Sequence, residues 1–400
     1  NALGDHWSPI VALLAPAWWV WPSAAMLLVA QAALFAWSVG VVSDTAETVL
    51  GSRSKGLLIG AAYGLSWGVQ RAIDFEFHEI AFAVPVLAVV ARQLLLRHWE
   101  RAAWWSLPLV LVKEDMGLTV AAVGVVLVVM ARRWYTAGVL VLFGLGFAAL
   151  TVGALIPHFN PHGQYDYWTK LPGGTHPQLW QLLIGPFTRL AVWQTSGWLL
   201  GITGFLALRS PLLLLALPTL AWRFTSSNAM FWGQDFHYSA ILMPILFLAM
   251  VDAIARVRDG GTAGPLLRGF AEGMVPAALG IAVACSVSLP VGVGALKDKD
   301  AWATGGRHAD ALAAAVALVP HGSTVESDLG PLARLAAVDD TYWTGGSKPT
   351  PPQYFVLDLS SFSNPPNDLP GYAAAFHPGA HYAVLFNRDQ VAVLKLDTAG

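Results

Sequence analysis

Four short stretches of this chain concentrate acids and histidines: Gly4-Asp5-His6, Asp74-Phe75-Glu76-Phe77-His78-Glu79, Lys113-Glu114-Asp115 and Gln234-Asp235-Phe236-His237-Tyr238. Carboxylates and imidazoles at this density suit proton transfer or metal binding. His6, His78 and His237 each lie within four residues of an acid. A lone histidine is usually a structural one, but the same pairing in three separate stretches points to a shared site. Asp74 to Glu79 is the most informative. If extended, its period of two puts Asp74, Glu76 and His78 on one face and Phe75 and Phe77 on the other. The plain alternative is a solvated loop with interfacial aromatics. Lys113-Glu114-Asp115 reads as an outer turn or an intramembrane polar cluster; Lys113 would pair with an acid or hold a phosphate, or the triplet simply neutralises itself. Arg71 and Arg223 are the outer cations best placed for an anionic head group, since guanidinium matches phosphate by paired hydrogen bonds. Arg71 would otherwise neutralise Asp74. The loop from His158 to His176 holds Asn160, His162, Tyr165, Asp166, Tyr167, Trp168 and Lys170. It suits sugar rings or a membrane interface, and the interface is the better fit.

What positions these stretches is a series of apolar runs. Hydrophobic residues are 56% of the chain and charged residues 12%, against about 25% charged in soluble domains. The mean hydropathy is +0.55. Several of the 18 tryptophans sit at run ends, among them Trp18, Trp19, Trp21, Trp104, Trp105 and Trp134, as in an aromatic belt. The runs are 23–42, 56–70, 80–96, 103–112, 116–131, 137–157, 190–208, 211–221, 238–255 and 273–294. Several fall short of the roughly 20 residues a perpendicular span needs. Ile10 to Trp21 reads as interfacial or re-entrant. Loops with Arg53 and Lys55, Arg92, Arg97 and Arg101, Arg132 and Arg133, Arg209, and Arg256, Arg258 and Arg268 alternate with the motif loops. The bias of Lys and Arg places these basic loops in the cytoplasm and the motif loops outside. The chain starts at Asn1 within a loop-like sequence and is expected to be a fragment lacking an upstream helix.

From 297 to 400 the pattern changes to a small outer α/β domain, after a helix bundle over 1–296. A helix is expected at 308–319, a strand at 323–327, a helix at 329–336 and a strand at 354–359. Strands at 382–386 and 391–396 would pair across Asn387-Arg388-Asp389-Gln390. The Gly/Pro-rich loop from Gly345 to Pro352 shows no readable chemistry. The net charge of −2 gives no sign of nucleic-acid binding. A single cysteine, Cys285, excludes internal disulfides. Phosphate-loop, dinucleotide, nucleophile-elbow and zinc-protease motifs are absent from the sequence.

The opening Gly4-Asp5-His6-Trp7-Ser8-Pro9, the stretch Asp74 to Glu79, and Val112-Lys113-Glu114-Asp115 resemble domain of unknown function 2079, a family of predicted multi-pass membrane proteins. The resemblance runs over roughly the whole chain and includes the His237-Tyr238 run start. That family is distantly similar to the GT-C glycosyltransferases, membrane enzymes that use lipid-phosphate sugar donors, with catalytic acids in outer loops and in some cases a divalent metal. The resemblance implies a GT-C-like helix bundle in the plasma or inner membrane. It would transfer sugar from a polyprenyl-phosphate donor to an external acceptor. Asp5 is then the first choice of catalytic base and Asp74 the second. Lys113, Arg71 and Arg223 would steady the leaving phosphate. Glu76, His78, Glu114, Asp115, Asp235 and His237 would offer ligands to Mg²⁺ or Mn²⁺, with His6, Glu79 and Tyr238 around them. Two other readings stand beside it: a transporter or flippase of a polar lipid, and a non-enzymatic envelope sensor or assembly factor.

Overall fold

The structure is a computed structural model that describes residues 2–172, 179–260, 263–289, 292–297 and 305–397. His176, at the far end of the aromatic loop, Asp298, at the onset of the α/β region, and part of the end of the 273–294 run lie outside the described residues. Two compact units form: Asn1–Ala15 with Leu27–Lys297, and Pro16–Met26 with Asp298–Gly400.

The first unit is helical. Each of the ten apolar runs carries helix, but only Ala24–Leu50, Trp134–Phe159 and Pro265–Ser288 among the described residues are long and apolar enough to cross a bilayer unaided. In the most apolar stretch of Trp134–Phe159 only 22% of residues are buried, so its surface calls for a hydrocarbon solvent. The other runs are interrupted. The 56–70 run, for example, breaks into helices Arg53–Gly64 and Trp67–Asp74 around Leu65 and Ser66. Pro9–Val20 is helical but too short to span.

Helices Met116–Ala131 and Trp134–Leu150 form the tightest pair. Arg132 takes a left-handed turn between them, with φ +55°. A Cβ on Gly117 would lie 2.4 Å from the Gly144 carbonyl oxygen, so only a glycine lets these backbones meet. This antiparallel pair returns the chain to the end from which it left. Lys113-Glu114-Asp115 and the loop that follows Phe159 therefore share one end of the bundle.

The second unit holds β1 (Thr324–Ser327), β2 (Asp340–Trp343), β3 (Tyr354–Asp358), β4 (Tyr382–Arg388) and β5 (Val391–Leu396), in the order β2-β1-β3-β5-β4. β1 pairs in parallel with β2 and β3, whereas β5 is antiparallel to β3 and β4. Along β3, Tyr354 and Val356 face helix Arg307–Ala317 while Phe355 and Leu357 face helix Leu369–Phe376. Burial on both faces explains its unbroken apolar sequence. β2 was not expected; it is an edge strand with little burial, so it carries no alternation to read. The hairpin is tighter than expected: β4 runs on to Arg388 and leaves a two-residue turn. Asp389 and Gln390 both have positive φ, 47° and 65°, the geometry whose twist matches paired strands.

Candidate functional site

The first acid–histidine stretch is seated by backbone contact. A Cβ on Gly4 would fall 2.5 Å from the Phe159 carbonyl oxygen, so the absence of a side chain lets Gly4-Asp5-His6 lie against the end of helix Ile156–Phe159. Asn160 Nδ2 then donates to the Gly4 carbonyl at 2.9 Å and to Asp166 Oδ2 at 3.0 Å. His6 Nδ1 meets Glu114 Oε1 at 2.8 Å and its Nε2 meets the Tyr167 hydroxyl at 2.7 Å. Asp5 Oδ2 lies 3.9 Å from His6 Nε2, and the Asp5 side chain is 68% exposed. Glu114 is buried and accepts also from the Trp7 N–H and the Tyr165 hydroxyl. Burial pushes the Glu114 carboxyl up, but the His6 hydrogen bond and charge, with Lys113, hold it below the usual range.

Next to Glu114, Lys113 Nζ donates to Glu79 Oε1 at 3.0 Å. Burial pushes Glu79 up, yet the Lys113 ammonium outweighs it and leaves the carboxyl at about 2. Asp115 lies beside the Trp222 indole, and burial pushes its carboxyl up to about 6. From Glu79 the network continues through its neighbour His78, which stacks on His237 with ring centroids 4.0 Å apart and planes 22° from parallel. Phe75 stacks on both. Burial, with His78 and Lys113 nearby, pushes the His237 imidazole down to about 2 and keeps it neutral. Its Nδ1 is buried with no hydrogen-bond partner among the described residues. Arg71 Nη2 reaches Asp235 Oδ1 at 3.3 Å.

All four stretches thus meet in side-chain contact, and the His6 charge acts on both His78 and Glu79. Three expectations change. Residues 74–79 are not extended: Asp74 ends helix Trp67–Asp74, Glu76 is left-handed at φ +69°, and Phe75 folds back onto His78. Asp74 and Glu76 are left exposed. The six side chains expected as metal ligands do not form a cage. Among the described residues no three His, Cys, Asp or Glu gather for an ion, and stacked imidazoles cannot aim their in-plane lone pairs at one ion about 2 Å away. Arg223 is fully buried, and its guanidinium donates to the carbonyls of Phe231, Gly233 and Tyr238 and to Ser239 Oγ. It shapes the 231–239 loop and presents no open face to a phosphate. Tyr238 packs in that loop against Trp222, Phe231 and His237.

A family model described as "Predicted membrane protein (DUF2079)" matches residues 1–368. The chain belongs to that family. No curated protein and no solved structure matches it.

Sequence reading favoured a membrane interface for the loop that holds Tyr165, Tyr167 and Lys170, and missed Gln31. In the structure Tyr165, Tyr167 and Lys170 belong to the network: the Lys170 ammonium sits 3.5 Å from the Tyr167 ring centroid. Burial lowers the Lys170 pKa, against the pull of Asp5. Gln31 is buried and clamps the 72–78 segment, donating to the Ala72 carbonyl and accepting from the His78 N–H, both at 3.2 Å. Its signal was available: a lone amide in the middle of an apolar helix needs a reason.

Proposed function

We propose that this protein is a membrane glycosyltransferase that moves a sugar from a polyprenyl-phosphate donor to an acceptor hydroxyl outside the membrane. The observation that carries the reading is the Glu114–His6–Tyr167 hydrogen-bond chain beside the open carboxylate of Asp5. Glu114 fixes the imidazole with Nδ1–H donating, which leaves Nε2 to accept from Tyr167. Asp5, at the mouth, takes the acceptor's proton as its oxygen bonds to the anomeric carbon. The bond from that carbon to phosphate breaks, and the electron pair leaves on the lipid phosphate. Lys170 and Arg71 supply the positive charge that the leaving phosphate requires. A transport reading is less well served: Asp252, the buried acid of the two in helix Leu242–Asp259, is engaged by Ser210 Oγ at 2.6 Å and Arg256 Nε at 2.7 Å.

The test is release of polyprenyl phosphate by the full chain in liposomes, with a panel of polyprenyl-phosphate hexoses and pentoses. Asp5→Asn should lower turnover by about 10²–10⁴-fold, the usual weight of a general base. Asp74→Asn should leave it unchanged. Full turnover in Asp5→Asn would sink the proposal.

A further inference from the structure

The proton that Asp5 takes must leave it before the next turnover. Asp5 Oδ2 lies 3.9 Å from His6 Nε2, too far for a direct hydrogen bond. The Tyr167 hydroxyl stands between them. It meets His6 Nε2 at 2.7 Å. Burial raises the Tyr167 phenol, and the charge of Asp5 and a hydrogen bond with it raise it further, against Lys113. A phenol held protonated passes a proton on only by accepting one as it gives its own, and a hydroxyl has the lone pairs and the O–H for both. The hydroxyl is also fixed in place. Residues 166–170 are tied at one end by Asn160 Nδ2 to Asp166 Oδ2 at 3.0 Å. At the other end the Lys170 carbonyl accepts from Ser226 Oγ and from the N–H and Oγ of Ser227.

Behind His6 the charges are unbalanced. Glu114 is buried and meets His6 Nδ1 at 2.8 Å. Three carboxylates, those of Glu79, Glu114 and Asp115, act on the one ammonium of Lys113, and that ammonium donates to Glu79. Burial pushes the nearby imidazoles of His78 and His237 toward the neutral form, so they add no charge. A buried carboxylate without its own countercharge is costly. A second proton on His6 supplies that charge. At the open end, the charges beside Tyr167 are Asp5 and the Lys170 ammonium over the ring.

We propose that the proton Asp5 receives passes through the Tyr167 hydroxyl to His6 Nε2 and is held there as an imidazolium against Glu114. The proposal rests on reading Asp5 as the base. The acceptor's O–H bond breaks as its oxygen bonds to the anomeric carbon, and the proton binds the Asp5 carboxylate. Asp5 then gives this proton to the Tyr167 oxygen while the Tyr167 proton moves to His6 Nε2. Asp5 is a carboxylate again, Tyr167 remains a neutral phenol, and His6 carries one positive charge. Once the product has left, the proton returns by the same route to the exposed Asp5 and to water. His6 and Tyr167 touch no substrate; they are positioning residues that move the proton.

The experiment measures release of polyprenyl phosphate by the full chain in liposomes, over a range of buffer concentrations, in Tyr167→Phe and His6→Gln. Tyr167→Phe keeps the ring beneath Lys170 and removes only the hydroxyl. His6→Gln keeps an N–H donor for Glu114 and removes the proton acceptor. Each is expected to lower kcat by about 10²-fold, the low end for a positioned proton-transfer group, with KM unchanged. Imidazole buffer should recover much of the loss and leave the unsubstituted chain unaffected, because a small base then takes the proton from Asp5. A purely structural role gives no such dependence. Full kcat in both variants, or a loss that no buffer base recovers, would overturn the relay alone, with the base reading kept by a slow Asp5→Asn. No transfer from any donor, or full turnover in Asp5→Asn, would remove the base reading and the relay with it. Nitrogen NMR of the full chain with isotope-labelled histidines gives a readout without turnover, the His6 signals being those lost in His6→Gln. At pH 8 the expected form carries its proton on Nδ1 and leaves Nε2 bare. A proton on Nε2 at rest leaves Tyr167 nowhere to send its own and would overturn the relay.

Discussion

Asp115 holds its charge unfavourably, since burial raises its carboxyl from 3.8 to about 6. A raised acid weakens the fold once ionised. Its cost is absent below about pH 3.8, grows as pH rises through about 6, and is complete above that. Asp115→Asn should therefore add about 1–3 kcal/mol of stability at pH 8 and nothing at pH 3.5. Chemical denaturation at the two pH values measures this, and equal effects at both would disprove it. Glu76 makes a second case. Its left-handed backbone, φ +69°, costs a non-glycine residue about 1 kcal/mol. Glu76→Gly should hold or raise the unfolding midpoint and leave turnover intact, whereas a true metal ligand there could not be lost. The acid-flanked histidines were legible because their neighbours adjoin them in sequence. Tyr167 was not: its bond to His6 joins residues 161 positions apart, and an aromatic loop reads equally well as an interfacial belt.

Elements converge at the site because two of them are tied by charge. Lys113 and Glu79 fasten the turn before helix Ala83–Leu95 to the turn before helix Met116–Ala131, and their side chains are only 13% and 14% exposed. Glu79→Gln would strand a buried ammonium and should cost about 3–5 kcal/mol, while Glu79→Gln with Lys113→Met should recover most of the loss. A double-mutant cycle decides; equal loss in the single and double variants would mean that the pair contributes only packing. The pH dependence has a defined sign. With the Glu79 carboxyl held at about 2 rather than 4.5, the tie is complete above about pH 4.5 and fails as pH falls through about 2. The apolar runs located the helices, since composition alone demands burial in lipid or protein. Their breaks escaped notice because an interruption such as that at Leu65 and Ser66 is capped by side chains, with the Leu65 carbonyl accepting from Gln70 Nε2 at 2.6 Å.

At the scale of the whole molecule, the two units make different demands on an explanation. The first unit's network is complete within itself, linking residues from Asp5 to His237, and the family match covers all of it. The second unit has its own cores and its own buried polar centre. Glu326 is wholly inaccessible and meets His377 Nε2 at 2.9 Å and the Ser347 N–H at 2.9 Å, with the Gly345 N–H as a further donor. The Gly/Pro-rich loop that carried no readable chemistry is therefore the lid of this centre, held by a carboxylate 19 and 21 residues earlier. Local composition cannot announce such a contact. His377→Ala leaves Glu326 buried without its imidazole and should destabilise the second unit by about 3 kcal/mol. Domains of this size fold around their own cores, so the tryptophan-rich first unit should keep its unfolding midpoint. Release of polyprenyl phosphate then separates the readings. A transferase with its chemistry in the first unit keeps its turnover in His377→Ala and loses it in Asp5→Asn. A sensor that acts through its α/β unit shows the reverse in cells, losing function with His377→Ala and tolerating Asp5→Asn.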